Sequence, residues 1–327
     1  MNAPAEVEIR AATAADHAAI VELAGSALGW RGGEPNAELF RWKHVDNPFG
    51  PSPMWVASVE GRLAAFRCFL RWELTRGGRP VRAARPVDTA THPDFQGRGL
   101  FRALTRHGVA ALEADGVEVI FNTPNSQSRP GYLTMGWQVV GRLPVGVTVR
   151  SPASVGRLAR ARVAAGKWSR PTDSGEAAAD VLADTVGVDA LLAARPEDRG
   201  WATRRSVAQL RWRYGSGPLA SRALLRTARV EDGIVLYRLR RRGGAVEATI
   251  GDVLVPDGDR RLERELVERV RRDARPDYLI RVQRAPVDGR SVRLPAQGPV
   301  LTWRTLGALP VPTLADLDLR LGDIESL

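Results

Sequence analysis

The sequence is short of the residues on which several classes of chemistry depend. A single cysteine, Cys68, excludes an intrachain disulfide framework and any multi-cysteine zinc site, and it fits a reducing compartment. His17, His44 and His107 fall on predicted helices without metal-ligand spacing to one another, so no metal site is expected. No apolar run approaches the roughly 18 residues of a membrane-spanning helix, and Met1 to Arg10 lacks the basic and apolar regions of a signal peptide. A cytoplasmic location without a membrane partner is the expectation. Lysine is almost missing too: Lys43 and Lys167 are the two lysines among 48 basic residues.

Arginine supplies the rest, and with 37 acidic residues the formal net charge is +11 over 327 residues. Such a balance invites a nucleic-acid reading. The arginines are mostly scattered among hydrophobic residues, however, and a scattered excess is a weaker partner signal than a clustered one. With 44% hydrophobic and 26% charged residues, the composition is that of an ordinary globular protein, and the length suggests two domains.

The first part of the chain reads as a strand from Val7 to Arg10, a helix capped by Thr13 and ended by Gly29, and a second short helix from Ala37 to His44. Strands are predicted over Met54–Val59, Leu63–Leu74 and Val81–Thr91, with turns at Glu60-Gly61 and Gly77-Gly78. A glycine-rich stretch then opens an amphipathic helix, Leu100–Ala114, which is followed by an apolar strand, Val117–Phe121. This order is a mixed α/β layer architecture. Residues 151–183 read as an Arg- and Ala-rich connector.

The second half echoes the first. Phe40-Arg41-Trp42-Lys43 is answered by Leu210-Arg211-Trp212-Arg213, Glu60-Gly61 by Asp232-Gly233, and Val87-Asp88 by Gly251-Asp252. Each copy continues into an amphipathic helix and an apolar strand, the second being Asp277–Val282. Where the first copy has its glycines, the second has Asp259-Arg260-Arg261-Leu262. A duplicated fold that has lost its glycines in one copy suggests that one lobe binds a phosphate-bearing ligand.

Gln96-Gly97-Arg98-Gly99-Leu100-Phe101 follows a strand and opens a helix. Glycines let the chain turn tightly and aim successive N–H groups into one space, and the helix start adds its positive dipole end. The stretch is neither a Walker loop nor a dinucleotide fingerprint, since it lacks the Gly-Lys-Ser/Thr of the one and the third glycine of the other. A plain turn before a helix has the same local pattern.

Gln96-Gly97-Arg98-Gly99 resembles the Gln/Arg-x-x-Gly-x-Gly/Ala signature of the GNAT superfamily of acyl-CoA-dependent N-acyltransferases. Phe101 stands where that family usually has Gly or Ala. Asn125-x-x-Ser128-x-x-x-Tyr132-x-x-x-Gly136-Trp137 resembles a second segment of the same superfamily. The resemblance covers 7–149 well and 201–310 as a degenerate second lobe. It implies a GNAT-like mixed α/β fold with a catalytic domain at 1–150, the connector at 151–183 and a degenerate lobe at 184–327. It also implies acetyl-CoA or another acyl-CoA as cosubstrate, held by Gln96, Gly97, Arg98, Gly99, Leu100, Phe101 and Asn125 and by the main chain of Thr89, Ala90 and Thr91. Tyr132 is implied as the acid for the departing thiolate.

Asp88 shares a strand face with Ala90 and His92 and is either the general base or a carboxylate with a structural task in both copies. Trp30 and Trp42 either line an acceptor pocket or belong to the core. Arg98 either meets a phosphate or is solvated. Cys68 reads as a small buried residue. The expected activity is acetyl transfer to a small-molecule amine, with the acceptor between the lobes. A Fem-type aminoacyltransferase using charged tRNA and a non-catalytic acyl-CoA sensor are the alternatives.

Overall fold

A computed structural model of the chain describes residues 6–28, 30, 33–197, 200–215, 219–282, 292–293 and 298–324. Gly29, expected to end the first helix, lies outside them. The first half runs β1 (Val7–Ala11), α1 (His17–Leu28), α2 (Asn36–His44), β2 (Met54–Val59), β3 (Arg62–Arg76), β4 (Arg79–Thr91), α3 (Leu100–Ala114), β5 (Val119–Asn122), α4 (Arg129–Leu133), β6 (Gln138–Arg142), β7 (Val145–Val149) and α5 (Pro152–Arg160). It continues through β8 (Glu176–Ala177), α6 (Ala178–Val181), α7 (Thr185–Ala193), β9 (Trp201–Thr203) and α8 (Val207–Leu210), which a π-helical turn extends to Gly215. Then come β10 (Arg222–Leu225), β11 (Ile234–Arg242), β12 (Ala245–Leu254), α9 (Arg260–Asp273), β13 (Tyr278–Val282), β14 (Val292–Arg293), β15 (Val300–Thr305), β16 (Leu317–Asp318) and α10 (Leu321–Ile324). Among the described residues no helix is long and apolar enough to cross a membrane.

The chain forms two compact units. The first comprises Met1–Leu74, Pro80–Gly141 and Val300–Pro312, and the second Thr75–Arg79, Arg142–Pro299 and Thr313–Leu327. This differs from the continuous ranges expected from the sequence, because strand pairing reaches across the chain. In the first unit β15 lies antiparallel to β5, with Thr302 opposite Asn122. In the second, β7 lies antiparallel to β13, with Val149 opposite Tyr278. The expected connector also belongs to the second unit: on α5, Ser154 Oγ and Arg157 Nε donate to Asp277 at 2.9 and 2.8 Å.

In the first unit the strands run β1-β2-β3-β4-β5-β15-β6. Strand periodicity divides their side chains between two layers. Trp55, Ala57 and Val59 of β2 join Phe69 of β3 in a core with Leu100, Leu104, Val109 and Leu112 of α3. Met54 and Val56 face the opposite way, with Phe66 and Cys68, onto Ile20 and Leu23 of α1 and Phe40 of α2. β4 and β5 pair in parallel at Ala83↔Val119 and Ala84↔Ile120, and β4 then runs on to Thr91.

The second unit's sheet runs β14-β7-β13-β12-β11-β10-β8. Alternation again serves two layers: Ile234 and Leu236 of β11 face one core, and Val235, Tyr237 and Leu239 face the other, under α9. β11 and β12 form an antiparallel pair, and β12 and β13 pair in parallel. The sequence antiparallel pair, helix, parallel strand is that of β3, β4, α3 and β5.

Gly108 sets how closely α3 approaches the sheet. A Cβ there would lie 2.5 Å from Phe69 Cε2 and 2.9 Å from Trp55 Cζ3. Alanine is the better helix former by about 1 kcal/mol, but the overlap with two packed rings costs about 1–3 kcal/mol and is met by backbone shift. Gly108→Ala is therefore expected to lower stability, seen as a lower urea midpoint at unchanged m; a raised midpoint would show that the rings yield freely.

Candidate active site

The end of β4 turns into the glycine loop through a short 3-10 turn, Pro93–Phe95. The His92 ring accepts from the Asp94 amide at 3.3 Å, and Gln96 Nε2 donates to the Thr91 carbonyl at 3.5 Å. Gly97 and Gly99 then take φ of 74° and 76°, the left-handed region that side chains other than glycine enter at a cost of about 1–2 kcal/mol. A Cβ on either would find nothing within 4 Å. Gly99 is the N-cap of α3, whose first turn carries no acidic residue. The loop thus presents the orphan N–H groups and positive end of a fifteen-residue helix to open space. Arg98 is exposed, with its guanidinium 5.1 Å from the Phe95 ring, and Arg62 packs on the same ring at 5.3 Å.

The corresponding helix of the second unit starts differently. Asp259 is the N-cap of α9, and its carboxylate accepts from the amides of Arg261 and Leu262 at 2.8 and 3.2 Å. A built-in anion occupies that helix start.

Tyr132 lies on α4, a helix of five residues that begins with Pro130 in its first turn. Ser128 stands at its N-cap without a side-chain cap hydrogen bond. Asn125 Oδ1 accepts from the amides of Gln127 and Ser128 at 3.1 and 2.8 Å and from Ser128 Oγ at 2.9 Å. Asn125, expected to bind the cofactor, therefore spends its side-chain oxygen on the turn that delivers Tyr132. From β15, Arg304 donates to the Met135 carbonyl and lies over the Trp137 ring at 5.1 Å, which fixes the turn after α4.

Tyr132 is buried, edge-on to Phe101 at 5.5 Å and to Trp137 at 5.1 Å. Its phenolic oxygen accepts from Arg67 Nη2 at 2.6 Å, so the phenol proton is free to be donated elsewhere. Arg67, on β3, is fully buried. The Phe101 side chain packs on Gly131 of α4, whose Cβ would come within 3.0 Å of Phe101 Cε1. The departure from the family's small residue thus fills space beneath α4.

Asp88 has a φ of 43° and a side chain 9% exposed. Aspartate is among the few residues other than glycine that tolerate this conformation. Its Oδ2 accepts from Lys43 Nζ at 2.8 Å and from His44 Nε2 at 2.9 Å. Burial alone would raise the Asp88 carboxyl; the Lys43 ammonium and the hydrogen bonds from His44 and Lys43 outweigh it and hold the group well below the usual carboxylate range. Burial is also the largest influence on His44 and lowers its imidazole against the opposing pull of Asp88. With Nε2 donating to the carboxylate, a neutral His44 accepts at Nδ1 from Ser52 Oγ, 2.9 Å away. A carboxylate held so firmly ionised is a poor proton acceptor, and this environment argues against the base role and for a structural one.

Thr89 Oγ1 donates to the Phe66 carbonyl at 2.9 Å, Ala90 is buried, and Leu100 is core. Trp30 and Trp42 are both buried, and Trp30 packs with Ile20, Phe40 and Phe66. Both therefore pack inside the first unit. Cys68 is buried, with burial raising its thiol. Sequence reading missed Lys43, His44, Ser52 and Arg67. The first two stand directly after Trp42 in the echoed segment, and the fifth position of the echo pairs His44 with Tyr214.

One strand runs past its parallel neighbour into a glycine loop, and a tyrosine follows on a short helix. Residues 8–140 match the family model of the acetyltransferase (GNAT) domain. The likeness to that family is thus carried by residues 8–140 of the chain. Its fold is similar to that of a GCN5-related N-acetyltransferase from Anabaena variabilis, at 10% identity and a TM-score of 0.64, covering 92% of this chain and 73% of that one. A GCN5-related N-acetyltransferase from Kribbella flavida aligns at 15% identity and a TM-score of 0.59, with 92% and 71% covered. Eis1 from Mycobacterium abscessus aligns at 19% and 0.57, with 92% and 74% covered. No curated protein matches the sequence.

The Asp88 cluster makes the fold acid-sensitive. A lowered carboxyl contributes stability that is full above the ordinary carboxylate range and is lost as pH falls from that range through the lowered folded value, and a lowered imidazole makes stability fall below about pH 6.5. Asp88→Asn keeps the shape and the tolerance of positive φ but removes the buried carboxylate that Lys43 and His44 face. It is expected to cost about 3–5 kcal/mol at pH 7 and to flatten the acid limb of stability against pH; denaturant titrations at several pH values measure both, and an unchanged acid limb would remove Asp88 as its source.

Proposed function

We propose that the chain moves an acetyl group from acetyl-CoA to a primary amine on a small molecule by direct attack on the thioester, in the cytoplasm, where acyl-CoA is available. The observation that carries the proposal is the contrast between the two helix starts. α3 starts behind two left-handed glycines with no side-chain cap and no acidic residue in its first turn, whereas the Asp259 carboxylate caps the start of α9. A pyrophosphate fits the first and is repelled by the second. This favours acyl-CoA over aminoacyl-tRNA as the donor.

The main chain of Gly97, Arg98, Gly99, Leu100 and Phe101 would hold the pyrophosphate, with the Arg98 guanidinium free to swing toward it. Main-chain amides over Thr89–Thr91 would polarise the thioester carbonyl. The amine lone pair forms the new C–N bond, the C–S bond breaks with its electron pair going to sulfur, and Tyr132 gives its phenolic proton to that sulfur. Asp88 holds the end of β4 in register with α2 and stays ionised throughout. Water takes the proton lost by the amine.

Titration calorimetry with acetyl-CoA is expected to show saturable binding that Gly99→Val weakens about tenfold, the equivalent of placing a side chain at its positive φ. Absence of saturable binding would end the proposal. Tyr132→Phe is expected to lower kcat about 100-fold with acetyl-CoA affinity retained, and an unchanged kcat would remove Tyr132 from the mechanism.

A further inference from the structure

Arg67 sits where the sheet offers it almost nothing polar. It stands opposite Trp55 in the β2–β3 pair and is fully buried. Its guanidinium carbon lies 5.0 Å from the Phe69 ring, 5.3 Å from Phe101 and 5.2 Å from Tyr132. Among the described residues its one hydrogen bond goes to the Tyr132 oxygen, Nε and Nη1 have no partner, and no carboxylate pairs with it. Aromatic faces return part of the cost of burying a cation, but a buried charge without a counter-ion remains expensive, and an apolar side chain of similar volume would pack the same space at less cost. A guanidinium kept here is kept for its charge.

We propose that Arg67 is a positioning residue for Tyr132: it fixes the phenolic oxygen by its one hydrogen bond and supplies the positive charge that faces that oxygen when the proton has left. The inference rests on Tyr132 as the acid. When the C–S bond breaks and its electron pair goes to sulfur, the proton moves from Tyr132 to sulfur and the negative charge passes to the phenolic oxygen. Arg67 already touches that oxygen, and among the described residues no carboxylate is ion-paired with it. Phe101 belongs to the same device, since its ring closes the cage over the guanidinium and packs on the tyrosine. The residue that departs from the family signature therefore holds the cation in place.

The test uses the full chain and follows free thiol released from acetyl-CoA, with the fastest-reacting amine from a panel of a polyamine, an amino sugar and a lysine peptide. Arg67→Met is expected to lower kcat about 10- to 100-fold, to leave acetyl-CoA affinity within about twofold and to leave Tm unchanged or raised, because Met refills the cage without a buried charge. Arg67→Lys is expected to recover part of kcat. In the Tyr132→Phe background, Arg67→Met should cost nothing further, since the two act as one unit. A lowered Tm with kcat retained, or a double variant whose loss is the product of the two single losses, would overturn the inference. Slow Tyr132→Phe beside unimpaired Arg67→Met overturns it and leaves the acid role standing. Unimpaired Tyr132→Phe overturns both.

Discussion

A buried carboxylate on a left-handed residue governs the geometry of the first unit. At Asp88 the strand leaves its regular extended path, and the side chain gathers two consecutive residues of α2, Lys43 and His44. Consecutive helical residues point in different directions, so both reach one oxygen only if the helix end is held close against the strand. The distortion would cost energy in isolation. The ion pair and the His44–Ser52 contact compensate for it, and β4 then emerges at the angle that leads into the 3-10 turn and the glycine loop.

The second unit meets the same constraint with other residues. Asp252 on β12 accepts from Tyr214 Oη at 2.7 Å and from Arg205 at 2.9 Å, and Arg205 also pairs with Asp323 at 2.7 Å. The register of β12 against β11 shifts between Leu236 and Tyr237, opposite the Gly251-Asp252 step. A Cβ on Gly251 would fall 2.6 Å from the Tyr214 ring, so the larger ring in place of His44 requires glycine where the first unit has Val87. Different residues pin the carboxylate in the two units. The helix starts beyond it differ, with glycines in the first unit and Asp259 in the second. A buried carboxylate thus recurs beside an irregular strand in both units, at a left-handed residue in the first and at a register shift in the second.

Much of this was legible because it is local. Period-two alternation in β2 and β3, the 3.6 period of α3 and the glycine loop each depend on a few neighbouring residues, and the predicted bounds of β2 and α3 coincide with those observed. The placements of β7 and β15 were not legible. Their hydrogen-bond partners lie more than a hundred residues away along the chain, and an apolar strand carries no mark of which edge it will meet. The partners of Tyr132 were hidden for the same reason: Arg67 and Arg304 reach it and its turn from distant strands. Asp88 was visible as a candidate, but its task was not, because a carboxylate's proton affinity depends on neighbours that only folding assembles.

The near absence of lysine acquires a physical sense in the interior. Arg67 lies among three aromatic rings, Arg85 is buried 5.4 Å from both the Trp72 and the Phe121 rings, and Arg213 is buried beside Tyr214 at 5.6 Å. A guanidinium is weakly hydrated and planar, so it can lie on a ring and keep its charge where an ammonium would have to surrender its water. These arginines contribute to the +11 formal charge without adding to the surface field that draws in a polyanion. The excess that first suggests nucleic acid is thus partly internal. The lysine of the first unit, Lys43, is instead a compact cation set directly on a carboxylate, where a point charge serves as well as a fork.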